Sequence, residues 1–152
     1  MKKHAGITLI ELMIVIAILA VIAGLAAPSF NQMIRSSRVS TASNELLAAM
    51  QLARAEAIKQ RRQITVCRRN AAGSACDGDA DWSAGWLVQG PTGVIRVWEP
   101  PRGGLALAGP AGGVTFTSDG RTTGATNFTI SSEGTSRTVD VDSTGRAHVE
   151  PH

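Results

Sequence analysis

The sequence has few of the residues on which catalytic and metal sites depend. It contains three histidines and two cysteines among 152 residues. It has neither a Gly-x-Ser-x-Gly nucleophile elbow nor a phosphate-binding loop, and no pattern pairs a nucleophile with a general base. The sequence therefore predicts no enzyme and no cofactor, and it favours a protein that acts by assembly or binding.

The histidines also give little support to a metal site. The C-terminal residues His148, Glu150 and His152 are the one group that could act as ligands. Pro151 and the chain end next to them do not favour the rigid arrangement that a metal ion needs. We expect no metal.

The charge is modest and unevenly distributed. After Pro28 there are 13 Lys and Arg against 11 Asp and Glu, a balance of about +2, which is weak for a dedicated nucleic-acid binder. One basic cluster, whose only acidic neighbour is Glu56, consists of Arg54, Lys59, Arg61, Arg62, Arg68 and Arg69. No internal repeat and no dividing linker is visible.

An apolar run near the N-terminus can cross a membrane. Ile7 to Ala27 is 21 residues, enough to span a hydrocarbon core of about 30 Å, and the preceding lysines favour a cytoplasmic N-terminus. Glu11 lies inside this run, where a charge costs roughly 2.5–3.5 kcal/mol at a helix centre and usually has a partner. The alternative is a secretory signal peptide that is cut near Gly24-Leu25-Ala26.

Gly6 followed by Ile7-Thr8-Leu9-Ile10-Glu11 resembles the class III signal of type IV pilins and pseudopilins. Pro28 matches the helix-kinking proline of that family, while Ile7 replaces its usual phenylalanine. The resemblance implies that a prepilin peptidase cuts between Gly6 and Ile7 and methylates the new amine. Residues 1–6 would be the leader peptide, and residues 7–28 would anchor the chain and later form the filament core.

Cleavage would give Glu11 a partner. The new amine of Ile7 would also be charged and would also lie in apolar surroundings. Two opposite charges on neighbouring subunits can offset each other's cost of desolvation. We expect Glu11 to set the register of assembly in this way. A purely local role in capping the helix is the alternative.

Residues 29–62 predict an amphipathic second half of the same helix. An apolar stripe at helical spacing, which should pack on a sheet, comprises Leu46, Ala49/Met50, Ala53 and Ala57. The solvent side is assigned to Glu45, Gln51, Arg54 and Gln60.

Residues 63–152 predict a β-sheet domain, so the fold class is α+β. Short strands alternate with turn residues, and we predict strands at 63–67, 85–89, 94–98, 114–117, 127–131, 138–142 and 147–149. Gly78 to Ala84 and Pro100 to Gly113 are predicted loops. The strands should form an antiparallel sheet against the second half of the helix.

The order of Cys67 and Cys76, the segment from Trp82 to Val88, and the turns Gly120-Arg121 and Gly145-Arg146 resembles the GspH/FimT branch of minor pilins and pseudopilins. The resemblance implies a type IV pilin-like fold, with the C-terminal domain in the periplasm. An exported domain favours a Cys67–Cys76 disulfide over two free thiols. The tryptophans Trp82, Trp86 and Trp98 are expected to pack in the core or loops rather than to bind a ligand.

In the FimT branch, a C-terminal Gly-Arg-x-Arg motif is linked to DNA binding. This chain has Gly145-Arg146-Ala147-His148, and histidine carries little charge at neutral pH. The resemblance implies that Arg146 is the main phosphate contact, with Arg121, Arg137 and His148 as helpers. The alternative is a plain β-turn with an exposed arginine.

Two functions are compatible with these features. The first is a minor pilin of a type IV pilus that takes part in assembly or priming, with DNA binding during natural transformation. The second is an H-type minor pseudopilin of a type II secretion system. Both imply a single-pass protein of the bacterial inner membrane whose partners are other pilin or pseudopilin subunits and the prepilin peptidase; the first adds double-stranded DNA.

Overall fold

The computed structural model describes residues 7–150, without the side chains of residues 25–28. One α-helix, α1 (Leu9–Gln60), is followed by eight strands, with a short 3-10 helix (Trp82–Ala84) between the first two strands. The chain divides into two compact units, Met1–Ile34 and Arg35–His152. The predicted fold class, a long N-terminal helix with an antiparallel β domain, is confirmed.

The strands form two antiparallel sheets of four strands each. The first has the order β3-β2-β1-β5 and the second the order β4-β6-β7-β8. The strands are β1 (Ile64–Arg68), β2 (Trp86–Gly90), β3 (Gly93–Trp98), β4 (Ala106–Ala108), β5 (Val114–Phe116), β6 (Thr126–Ser132), β7 (Thr135–Val141) and β8 (Ala147–Val149).

One hydrophobic core joins both sheets to the second half of α1. The helical residues of this core recur every three or four positions, as an amphipathic helix requires; they are Val39, Ala42, Leu46, Ala49, Met50, Ala53 and Ala57. The predicted apolar stripe is therefore confirmed. Alternate strand residues face the helix, for example Ile64 and Val66 in the first sheet and Val139 and Val141 in the second.

The arrangement of the strands differs from the sequence-based prediction at two points. The strands form two sheets where one was expected, and β4 lies inside the predicted loop from Pro100 to Gly113. Two of the three β4 residues are alanines, which have little strand preference. Long-range contacts hold β4 instead: it pairs with β6, and the Leu107 N–H donates to the Ser83 hydroxyl over 3.1 Å.

The C-terminal end of α1 is closed by its own backbone. Arg61 has a φ of +53°, in the left-handed region, and the Arg62 N–H donates to the Ala57 carbonyl over 3.2 Å. This is the hydrogen bond that commonly closes a helix at a left-handed residue, a place usually taken by glycine. The chain then enters β1 two residues after Arg62.

Candidate functional site

The N-terminal turn of α1 uses the backbone of Glu11 and leaves its carboxylate available. The Glu11 N–H donates to the Thr8 hydroxyl over 3.3 Å, so Thr8 caps the helix start. Among residues 7–150 the Glu11 carboxylate makes no hydrogen bond or ion pair, and its side chain is exposed. A local cap exists, but the carboxylate itself takes no part in it.

The first half of α1 exposes its apolar side chains. Ile7 is 77% exposed, and large hydrophobic residues stay exposed as far as Ile22. The helix is long and apolar enough to cross a membrane by length and composition, and none of its most apolar window is buried. Gly6, the predicted cleavage position, lies outside the described residues, as does the side chain of Pro28.

Cys67 and Cys76 form a disulfide, which confirms the predicted bond. It closes a loop that is also held by a backbone hydrogen bond, in which the Asn70 N–H donates to the Ala75 carbonyl over 2.9 Å. Cys67 is buried beside the core. The disulfide therefore fixes the chain that follows β1.

Half of the basic cluster seen in the sequence is neutralised by ion pairs within the fold. Arg68 forms an ion pair with Asp77, and Arg69 forms one with Glu99. Lys59 pairs with Glu56 one helical turn away, over 3.1 Å. Of the cluster, only Arg61 and Arg62 are exposed and without an ion pair among the described residues.

Two Gly-Arg turns have similar local construction. In the first, the Gly120 N–H donates to the Thr117 carbonyl over 2.8 Å, and the Thr117 N–H donates to the Arg121 carbonyl over 2.8 Å. In the second, the Gly145 N–H donates to the Asp142 carbonyl over 3.0 Å. Both glycines have φ of +77°, which is why glycine is needed at each turn.

An aspartate side chain stabilises each turn. The Asp142 carboxylate accepts hydrogen bonds from the Thr144 hydroxyl over 2.6 Å and from the Arg146 N–H over 3.0 Å. These bonds, the Thr144 hydroxyl first, hold the pKa of Asp142 below its ordinary value of 3.8. The Thr117 hydroxyl lowers the pKa of Asp119 in the same way.

The fold brings the two turns into contact. A Cβ on Gly145 would overlap the carbonyl oxygen of Gly120. Thr122 reinforces the contact, because its hydroxyl donates to the Asp142 carbonyl over 2.8 Å and its N–H donates to the Ser143 carbonyl over 3.3 Å. Arg121 and Arg146, both exposed, therefore extend from adjoining turns.

Arg54 of α1 holds both turns from the helix side. Its Nε donates to the Gly120 carbonyl over 3.1 Å, and its Nη2 donates to the Thr144 carbonyl over 3.2 Å. The assignment of Arg54 to the solvent side was therefore wrong, since the residue is half-buried beneath the turns. The only sequence feature that could have indicated this burial is the position of Arg54 directly after Ala53, at the edge of the apolar stripe.

The other predicted DNA contacts are more dispersed. His148 is exposed on β8 opposite Asp140 of β7. Arg137 lies nearer the other end of β7, on the face that carries Val139 and Val141. The structure thus brings Arg121 and Arg146 together, and it leaves Arg137 apart from them.

The tryptophans divide into two groups. Trp82 and Trp86 are fully buried, which confirms their predicted packing role. Trp98 is half-buried: it stacks on Trp86 with ring centroids 6.5 Å apart, and the Arg96 guanidinium lies over it at 4.6 Å. Trp98 also lines a cleft of about 480 Å³ between the helix and the segment 97–105.

Within residues 7–150, no three His, Cys, Asp or Glu side chains are grouped for a metal ion; His152 lies outside that range.

The comparisons with known proteins agree with this architecture. The family model described as type II transport protein GspH matches residues 42–145, and the one described as prokaryotic N-terminal methylation motif matches residues 1–27. A search of curated proteins found no match.

Solved structures of a type IV minor pilin are similar to this chain. A crystal structure of FimU from Pseudomonas aeruginosa shares 26% sequence identity over 76% of this chain and 90% of FimU, with a TM-score of 0.61. A second crystal form of FimU gives a TM-score of 0.59 at the same identity, over 74% of this chain and 92% of FimU. The GspH model alone spans more than half of the sequence. The chain therefore belongs to the GspH family, whose members are minor pilins and pseudopilins of type IV pili and type II secretion systems.

Proposed function

We propose that this protein is a minor pilin that is incorporated into a type IV pilus and takes part in its assembly or priming. The observation that carries the proposal is the similarity to the type IV minor pilin FimU, which extends over 90% of that chain. GspH-family proteins are structural subunits and are not known as enzymes. The proposed role accordingly depends on contacts between subunits.

Residues 1–6 would be removed by a prepilin peptidase, and the amine of Ile7 would be methylated. Residues 7–28 would then anchor the subunit in the inner membrane, with residues 63–152 in the periplasm. The match of the N-terminal methylation motif to residues 1–27 supports this order of events, as do the exposed apolar side chains of α1.

Glu11 would pair with the Ile7 amine of a neighbouring subunit. Its N–H is already satisfied by Thr8, while its carboxylate has no partner among residues 7–150. A lone carboxylate in an apolar filament core is costly, and an opposite charge offsets that cost. The pair would therefore favour one axial register as each subunit joins.

The alternative is a minor pseudopilin of a type II secretion system, which the description of the matching GspH model favours. Deletion of the gene in its native host distinguishes the two. A pilus subunit predicts loss or reduction of surface pili with normal protein secretion. Loss of secretion with normal piliation would instead support the pseudopilin.

We further propose that the assembled protein binds the backbone of double-stranded DNA. The contact between the Gly120-Arg121 and Gly145-Arg146 turns favours this activity, because it brings together two turns that each carry an exposed arginine. Arg146 would be the main phosphate contact and Arg121 its neighbour. Natural transformation is the process that such binding would serve.

Gel mobility of labelled duplex DNA with the full-length protein in neutral detergent tests this activity. Phosphate contacts predict binding that weakens steeply as salt rises. Arg146→Gln should weaken binding on every DNA sequence to a similar extent. Arg137→Gln is the matched control, since Arg137 lies apart from the two turns. Unchanged binding by Arg146→Gln would remove Arg146 from the site.

A further inference from the structure

We propose that Arg61 and Arg62, at the C-terminal end of α1, form one phosphate-binding surface with Arg121 and Arg146. We call these four residues the arginine surface. The proposal rests on the proposed DNA binding and extends its site from the two turns to the end of the helix. Its partner is the backbone of duplex DNA.

The helix end is adjacent to the first Gly-Arg turn. A Cβ built on Gly120 would lie 2.7 Å from the Ile58 Cδ1, so the last helical turn packs directly on Gly120. The Arg61 N–H in turn donates to the Ile58 carbonyl over 3.4 Å. Arg61 is therefore bonded to the residue that touches the turn carrying Arg121.

The pairing of β1 with β5 also places the helix end beside the first Gly-Arg turn. Ile64 of β1 pairs with Phe116 of β5, and Phe116 also bridges to Thr122. Because paired strands lie about 4.8 Å apart, the residues just before Ile64 adjoin the turn just after Phe116. Arg62 thus lies beside the segment that carries Arg121, and Arg121 adjoins the turn of Arg146.

Several arginines of the fold are engaged by other groups of the protein, whereas the side chains of the four residues of the arginine surface are not engaged within the part of the chain that the structure describes. Arg35, Arg68 and Arg69 form ion pairs with carboxylates, while Arg54 bonds two carbonyls. Among residues 7–150, the four members of the arginine surface are exposed and form no ion pair or side-chain hydrogen bond.

Two carboxylates lie nearby, and both are engaged in their own turns. Asp142 accepts from the Thr144 hydroxyl and the Arg146 N–H, and Asp119 accepts from the Thr117 hydroxyl. They reduce the positive field without pairing with an arginine side chain. Residues 61–62, 117–122 and 142–146 together contain four arginines against these two carboxylates, so these segments carry a net positive charge.

A surface of this kind suits a duplex and carries no sequence preference. Double-stranded DNA presents one negative charge about every 1.7 Å along its axis, so neighbouring arginines meet several phosphates. Phosphate contacts position a protein on the duplex without reading its bases. The surface is therefore expected to bind duplexes of different sequence with similar affinity.

The test measures how the affinity of the full-length protein in neutral detergent for a short labelled duplex depends on salt between about 50 and 200 mM. Arg61→Gln combined with Arg62→Gln should reduce the slope of log affinity against log salt by about 2 in magnitude, since each phosphate contact contributes about 0.9. Arg38→Gln combined with Arg102→Gln is the matched control and should keep the wild-type slope. Arg38, itself exposed, lies about 35 Å from Arg61 along α1.

A second variant separates lost binding from lost folding. Arg61→Gly removes one charge at a position whose φ of +53° suits glycine, so it should reduce the slope by about 1 without lowering the melting temperature. If both Arg61 variants keep the wild-type slope while Arg146→Gln lowers it, the helix end is not part of the site and the proposed DNA binding stands. If the wild-type protein shows no salt-dependent binding, the proposed DNA binding fails and the arginine surface fails with it.

Discussion

Gly145 packs against the carbonyl oxygen of Gly120, so two turns that are 25 residues apart in the sequence share one contact. Arg54 donates to the carbonyl of Gly120 and to that of Thr144, which precedes Gly145. The positions of Arg121 and Arg146 therefore depend on Gly145, on Arg54 and on the helix that carries Arg54.

Gly145→Ala should destabilise the domain by about 2–4 kcal/mol, because the new methyl group overlaps the Gly120 carbonyl and the left-handed backbone is strained. Gly134→Ala is the control, since Gly134 has nearly the same φ, +78°, but open space around it. Denaturant unfolding followed by fluorescence measures both, because all three tryptophans lie after Ile34. Equal destabilisation by the two variants would show that the contact is unimportant.

Arg54→Met should destabilise the domain by about 2–3 kcal/mol, because the Gly120 and Thr144 carbonyls lose a charged donor. It should also weaken DNA binding, since Arg121 and Arg146 are no longer held together. Arg54→Lys should lie between wild type and Arg54→Met, because one ammonium group replaces a forked guanidinium.

Gln51→Met is the matched control for Arg54, as Gln51 is exposed on the same helix. It should change the free energy of unfolding by no more than about 0.5 kcal/mol. A wild-type melting temperature for Arg54→Met would contradict the stabilising role of the two hydrogen bonds.

Asp142 predicts a loss of stability in acid. Its pKa in the folded state is below the ordinary value of 3.8, because the Thr144 hydroxyl and the Arg146 N–H bond its ionised form. The stabilisation is present above pH 3.8 and is lost as the pH falls through the lower, folded-state pKa. Melting temperatures measured from pH 6 down to about pH 2 should fall less steeply for Asp142→Asn than for wild type.

The pH dependence should be reduced by this variant and not abolished. Asp81, Asp119 and Glu56 also have lowered pKa values, each mainly through a side-chain hydrogen bond, and they remain in Asp142→Asn. An identical pH dependence in wild type and Asp142→Asn would contradict the role given to the carboxylate.

Glu11→Ala should be processed normally but fail to enter filaments, because the neighbouring amine loses its partner. Immunoblots of sheared filaments against whole cells measure incorporation. Thr8→Ala is the control, since it removes the helix cap and keeps the carboxylate. If Thr8→Ala blocks incorporation as strongly as Glu11→Ala, incorporation depends on the helix start as a whole, and the effect of Glu11→Ala no longer supports pairing between subunits.

The sequence predicted the features that follow from local pattern. The apolar residues from Leu46 to Ala57 recur at helical spacing, and apolar residues alternate with polar ones along the strands. These elements were therefore predicted with small shifts in their ends. The three-residue strand β4 was missed because pairing with β6 creates it, and its alanines have no strand preference of their own.

The candidate DNA site was only partly predictable for a related reason. Each Gly-Arg turn has a local signature, but their contact arises where two distant segments meet under α1. Helical periodicity located Arg54 at the edge of the apolar stripe, but it carries no information on the two Gly-Arg turns that cover this residue in the fold. The basic cluster likewise looked uniform, whereas distant carboxylates such as Glu99 neutralise part of it.

The central claim is that this chain is a processed pilin subunit whose apolar helix is retained. Mass spectrometry of the protein purified from its native membrane tests this claim most directly. The account predicts an N-terminus at Ile7 that carries one added methyl group, with residues 7–28 present in the mature protein. A mature protein that begins at Ala27, after removal of the whole apolar run, would contradict it and would identify the run as an ordinary signal peptide.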